Sequence, residues 1–166
     1  CTPVKPAAQL SQELIAAFPP FASTHGLPDL LGPHLAECLT GQADPVSLLF
    51  GSEQGRHLLE DFYANGPDLR AATQVLCDFV SAAISAHAQT VGGDGGEPFR
   101  ILEVGAGTGG TTKHLIPLLQ ATGLPFTYTF TELSVSLLAR ARRTTFAGTP
   151  NMEFRKFDLE ATPEPE

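Results

Sequence analysis

A chain of 166 residues, 42% hydrophobic and 17% charged, is too apolar to stay disordered and long enough to bury about 70% of its unfolded surface around one core. Its formal charge of −8, with neither basic stripe nor basic tail, argues against nucleic acid or an anionic membrane as partner. No apolar run approaches the ~20 residues that span a bilayer, and no charged-then-apolar leader is visible.

The N-terminal part reads as helices. "AAQLSQELIAAF" places Leu10, Leu14, Ala17 and Phe18 on one helical face, ended by Pro19 and Pro20. Phe21 to Pro33 is rich in turn formers and is expected to wrap the surface. Short helical patterns follow in "HLAECL" and "SLLF", and "GRHLLEDFYANG" stops at Asn65-Gly66. The longest helix is expected in "AATQVLCDFVSAAISAHA", with Val75, Leu76, Phe79, Val80, Ala83 and Ile84 as a broad apolar stripe.

"TVGGDGGEP" is then a flexible acidic linker. The expected segments are a helical part over 1–90, a glycine-rich linker over 91–98 and an α/β part over 99–166. Cys1, Cys38 and Cys77 match neither a disulfide framework nor a zinc motif, and no base accompanies them. They read as buried or incidental thiols in a reducing cytoplasm, with no metal site. The start at Cys1 and the end in "ATPEPE" read as cuts from something longer.

After the linker the period changes. "FRILEV" is a nearly continuous apolar run, as for a strand buried on both faces, and "PFTYTFTE" alternates Phe126, Tyr128 and Phe130 with threonines. "MEFRKFD" is a third strand whose intervening residues are charged. Helical patterns separate them at 110–120, where Pro117 should kink or restart the helix, and at 134–146. Strand, helix, strand, helix, strand is an open parallel α/β unit with right-handed crossovers. Glu153, Arg155 and Lys156 suit a protected edge and "FRILEV" a central strand, giving the order 3-2-1, half of a doubly wound sheet. The most apolar strand would keep a bare edge, so further strands are expected beyond Glu166.

Gly105, Gly107, Gly109 and Gly110 fall between the first strand and its helix, where missing Cβ atoms let the backbone turn sharply and approach a ligand. Gly105, Gly107 and Gly110 also fit G-x-G-x-x-G, and Glu132 ends the second strand where a dinucleotide fold places its ribose-binding acid, so spacing alone leaves an NAD(P)-dependent oxidoreductase half-domain open. Glu103 tips the balance. A pyrophosphate disfavours a carboxylate beside its loop, whereas S-adenosylmethionine carries an ammonium and a sulfonium and no phosphate.

On that basis Glu103, Gly105, Ala106, Gly107, Thr108 and Gly109 form the cofactor loop. Glu132, followed by Leu133, takes the ribose hydroxyls. Asp158 takes the adenine amino group, with Leu159 against the ring. Thr108, Thr111 and Thr112 are expected to cap the helix or touch the methionine carboxylate, capping being favoured. His87 reads as packing, His114 as exposed, and none of the five histidines as a base.

These residues resemble a known family. "ILEVGAGTGGTTKHLIPLL", "YTFTELSVSLLARARRTTF" and "MEFRKFDLE" look like the first three strand–loop units of the C-methyltransferase domain of fungal iterative polyketide synthases, the non-reducing type above all. "LLEDFYANGPDL" resembles the segment ahead of that cofactor fold, and the likeness runs from about Leu48 to Glu160. It implies a Rossmann-like class I methyltransferase sheet behind an N-terminal helical lid, in a cytoplasmic multidomain synthase. It also implies methyl transfer to the α-carbon of a β-ketoacyl group on an acyl carrier protein, leaving S-adenosylhomocysteine. The family's base, a histidine supported by a glutamate, would lie beyond this chain in the rest of the domain. Tyr63, in "DFYANG", is the catalytic candidate in the helical part, orienting substrate or enolate. A catalytically silent methyltransferase-like module stays open beside these readings.

Overall fold

The computed structural model describes residues 5–91 and 97–161, and most of the expected linker, like Cys1, lies outside the described residues. The chain forms two compact units, Cys1–Ala71 and Ala72–Glu166. The division thus falls inside the longest helix and not at the glycine-rich stretch, because that helix contributes to the core of the second unit.

The first unit is helical: α1 Ala7–Ala17, α2 Ala22–Leu31, α3 Leu35–Leu39, α4 Pro45–Gly51 and α5 Glu53–Asn65. Asp44 caps α4 by accepting from the amides of Val46 and Ser47, and Ser52 caps α5 by accepting from that of Gly55. The stretch expected to be irregular is α2, flanked by 3₁₀ turns at Pro19–Phe21 and Gly32–His34. Packing overrides its turn formers. A Cβ at Gly26 would lie 2.8 Å from Leu58 Cδ2, so α2 sits close against α5, and Ser23 is buried. Pro28 is accommodated within the helix.

α6, Pro67–Val91, leads into the second unit, which continues with β1 Phe99–Glu103, α7 Thr112–Ala121, β2 Phe126–Glu132, α8 Val135–Arg140, a π-helical turn at Ala141–Thr145, and β3 Met152–Lys156. The strands are parallel in the order β1-β2-β3, with Glu103 opposite Phe130 and Glu132 opposite Lys156. This is the expected mixed α/β fold and the expected strand order.

Period-two alternation sorts the faces. Phe126, Tyr128 and Phe130 are buried, with Phe99, Ile101, Met152 and Phe154 against them, under Cys77, Val80 and Ile84 of α6 and Leu115, Ile116 and Leu119 of α7. The other face carries Leu102, 60% exposed, and an Arg155–Glu153 ion pair at 2.8 Å.

The apolar stripe of α6 is narrower than its sequence suggested. Cys77, Val80 and Ile84 pack, while Val75 and Phe79, almost diametrically opposite Cys77 at 100° per residue, are exposed. α7 runs through Pro117, whose ring sits on the exposed side while Leu115, Ile116 and Leu119 hold the buried one. No helix among the described residues is long and apolar enough to cross a membrane.

Candidate functional site

The carboxyl ends of parallel strands are where open α/β sheets gather ligand-binding loops. Here β1 runs into Val104 and a glycine loop in which Gly105, Gly107 and Gly109 all have positive φ, +70°, +58° and +77°. The three glycines have different reasons. A Cβ at Gly105 would meet nothing within 4 Å, and one at Gly107 only the Gly105 carbonyl oxygen at 3.9 Å, so open space lies beside both. At Gly109 a Cβ would lie 2.6 Å from the Phe146 ring, and its bareness serves packing on the segment after α8.

The loop is braced from β2. The Ala106 amide donates to the Thr131 carbonyl at 2.9 Å, and the Thr131 hydroxyl donates to the Glu103 carbonyl at 2.6 Å. Glu132 accepts from the Gly107 amide at 2.9 Å through Oε2 and from the Ser134 amide at 2.9 Å through Oε1. The acid expected to serve a ribose is therefore tied to the glycine loop. A carboxylate offers about four lone-pair positions, so two remain for further donors.

Glu103 is held differently. Its Oε2 accepts from the Thr112 hydroxyl at 2.5 Å and from the Tyr128 hydroxyl at 2.8 Å, which links β1, β2 and the first turn of α7. Burial raises its carboxyl above the ordinary glutamate range, and the two donated hydroxyls only partly offset that. Burial likewise pushes the Tyr128 phenol well above its usual value, with the Glu103 charge adding to the shift. Tyr128 is fully buried, as is Thr112.

Two expectations change at this point. Thr111 makes no side-chain cap to α7, and the Thr112 hydroxyl serves the Glu103 carboxylate instead of the helix end. His114 is half-buried. His87 packs its ring edge-on to Phe99, centroids 5.4 Å apart.

Of the remaining site candidates, Thr108, Leu133, Asp158 and Leu159 belong to the second unit and Tyr63 to the first. Thr108 is half-buried in the loop, and Leu133 is exposed directly after Glu132. The Phe157 amide donates to the Glu132 carbonyl at 3.4 Å, which brings the turn after β3 beside the end of β2. Asp158 is exposed in that turn, its Oδ1 accepting from the Glu160 amide at 3.0 Å, and Leu159 is exposed beside it. Tyr63 belongs to the first unit, on α5, 52% exposed and edge-on to Phe62.

Tyr128 was not among the expected site residues, and Thr112 was expected in a capping role. The signal for Tyr128 was there: one hydroxyl in a row of buried phenylalanine positions needs a partner, and Glu103 stands on the adjacent strand.

No family model matches the chain. It is 48% identical over 155 residues to a methylphloroacetophenone synthase of Cladonia uncialis, covering 93% of the chain and 6% of that protein. A non-reducing polyketide synthase of Emericella nidulans is 45% identical over 163 residues, covering 97% of the chain and 6% of the synthase. The 5-methylorsellinic acid synthase of Aspergillus terreus is 43% identical over 162 residues, covering 98% and 6%.

Among solved structures, the citrinin polyketide synthase CMeT domain superposes with a TM-score of 0.89 at 39% identity, covering 98% of this chain and 41% of that one. The DszA carbon methyltransferase gives 0.79 at 26% identity, covering 93% and 38%. The chain thus spans 6% of the length of these relatives and 38–41% of these solved chains.

Proposed function

We propose that this chain, which belongs to the C-methyltransferase domains of fungal non-reducing polyketide synthases, supplies the S-adenosylmethionine cradle for methylating the α-carbon of a β-ketoacyl group on an acyl carrier protein. The observation that carries this reading is the pairing of two acids with one bare loop. Gly105 and Gly107 leave open space beside a backbone that Glu132 braces, and a half-buried carboxylate, Glu103, stands two residues before the first of them.

The residues fit the cofactor's chemistry. Gly105, Ala106, Gly107, Thr108 and Gly109 let its backbone-hugging end approach, and Glu132 has acceptor capacity left for ribose hydroxyls. Asp158 and Leu159 follow β3 at the same end of the sheet as Glu132, where an adenine amino group and ring would lie. Glu103 offers negative charge to the ammonium. Bound there, S-adenosylmethionine supplies an electrophilic methyl group on a positively charged sulfur.

This chain's part is to bind and orient. Carbon methylation also needs an α-proton removed to give an enolate. The base for that step is assigned to the remainder of the synthase domain, so the chain alone is expected not to turn over. Tyr63 is assigned to orienting the substrate or enolate. The other domains of the same cytoplasmic synthase, the carrier among them, are its partners.

An NAD(P) oxidoreductase half-domain is disfavoured by Glu103, because a carboxylate beside the glycine loop is a poor neighbour for a pyrophosphate. Calorimetric titration of the full-length protein with S-adenosylhomocysteine, with NAD as control, tests the cofactor. Saturable binding of the first alone is expected, and binding of NAD alone would overturn the assignment. Methylation of a carrier-bound β-ketoacyl substrate separates an active domain from a silent one.

A further inference from the structure

We infer that Tyr128 and Thr112 are positioning residues that hold Glu103 by one carboxylate oxygen and leave the other for the ammonium of the bound amino-acid moiety. The inference rests on the S-adenosylmethionine reading and adds to it a specificity device in the core of the α/β unit.

The hydrogen bonds are asymmetric. Both hydroxyls converge on Glu103 Oε2, at 2.5 Å from Thr112 and 2.8 Å from Tyr128. Glu103 Oε1 accepts from no described residue, yet it is not sealed in. Ser11 Oγ is the only side-chain oxygen or nitrogen among the described residues that is both enclosed and unpartnered. Oε1 therefore keeps access to open space and the capacity for at least one strong donor.

The two donors come from different elements, Tyr128 from the middle of β2 and Thr112 from the first residue of α7. Their hydroxyls are fully buried with little freedom to move. Two donations to Oε2 from separate elements restrain the carboxylate's rotation more than a single contact would. The backbone of Glu103 is fixed as well, because its carbonyl accepts from Thr131.

A desolvated carboxylate with one unused oxygen is unfavourable by itself and gains most from a cation. A charge-assisted bond at a preoriented oxygen is where an ammonium would be distinguished from a ligand lacking one. The brace should therefore matter for the amino-acid end of the ligand and not for its nucleoside end.

Two probes separate these ends. S-adenosylhomocysteine carries the ammonium, and 5′-methylthioadenosine keeps the thioether and nucleoside without it. In the full-length protein, Tyr128→Phe and Thr112→Val are each expected to weaken S-adenosylhomocysteine about tenfold while leaving methylthioadenosine unchanged. Thr112→Ser, which restores the hydroxyl, should recover the affinity. Equal losses for both probes would overturn the inference in favour of general damage to the loop, as would unaltered S-adenosylhomocysteine binding. If Tyr128→Phe fails to fold, Thr112→Val and Thr112→Ser decide alone. Wild-type protein binding neither probe would overturn the cofactor reading and this inference with it, an outcome distinct from binding that is indifferent to the brace.

Discussion

The two units carry apolar residues in similar proportion but to very different effect. In the α/β unit Tyr128, Phe130 and Leu119 are wholly buried and belong to one contiguous cluster reaching from α6 to Phe146. In the helical unit Leu10, Phe18, Leu35, Leu39 and Val46 remain exposed, and among the described residues Leu59 and Ala64 are its buried apolar positions. A sheet face gathers alternate residues of several strands onto one plane, so each large side chain finds neighbours from more than one element. Short helices joined by proline-containing turns meet over small patches. Stability in this chain is therefore concentrated where the glycine loop is anchored.

The strongest way to break that comparison is to remove one large apolar side chain from each unit. Phe130→Ala deletes a ring packed on both Phe146 and Phe154, at 5.8 and 5.5 Å between centroids. It is expected to cost about 3–5 kcal/mol in denaturant unfolding. Leu39→Ala, at a position 79% exposed, should stay within about 0.5 kcal/mol. Comparable losses at the two sites would mean that the helical unit buries Leu39 in solution.

Glycines with the same backbone in the two units sharpen the point. Gly109 has φ +77° and Gly41 has φ +74°, but a Cβ meets Phe146 at 2.6 Å in the first case and open space in the second. Gly41→Ala should cost about 1 kcal/mol from the left-handed conformation alone. Gly109→Ala adds overpacking of about 1–3 kcal/mol. Thermal unfolding of both variants measures the difference, and equal losses would show that Phe146 yields without cost.

The legibility of each unit follows the same division. Strands β1, β2 and β3, their order and the buried face of β2 were readable, because alternation with aromatic residues leaves one way to place the core. The glycine loop was readable because three left-handed positions in five residues need glycine. α2 was not, since its helix depends on close packing of Gly26 on Leu58, which no local pattern records. The stripe of α6 was overestimated for a related reason: Val75, Leu76 and Phe79 are as apolar as Val80 and Ile84, and only tertiary contact decides which side packs. Thr112 was misread because a threonine at a helix start satisfies capping logic equally well. Its true partner lies nine residues upstream on β1.

In the site itself, Glu132→Ala removes the acceptor for the Gly107 and Ser134 amides. It should weaken S-adenosylhomocysteine binding by about 1.5–3 kcal/mol, the range for losing a charge-assisted hydrogen bond. Glu132→Gln keeps one acceptor oxygen and should fall between. Unchanged calorimetric affinity in both would remove Glu132 from the ribose.

The smallest effects have opposite signs in the two units. Asp44, in the helical unit, is lowered chiefly by the Ser47 hydroxyl and further by the Val46 and Ser47 amides. A depressed carboxylate contributes stability above its unfolded pKa and loses it as pH falls through the folded one. Glu103, in the α/β unit, is raised by burial despite Thr112 and Tyr128. Its folded state holds a proton more readily than its unfolded state. The linked contribution is therefore fully present below the ordinary glutamate range and disappears as pH rises through the raised value. Asp44→Asn should flatten the acid side of a plot of unfolding midpoint against pH. Glu103→Gln should flatten the stretch just above the glutamate range, where wild-type stability declines. If both variants flattened the same limb, Glu103 would be ionised without penalty, and the brace from Tyr128 and Thr112 would be holding a carboxylate already satisfied, with no charge reserved for a cation.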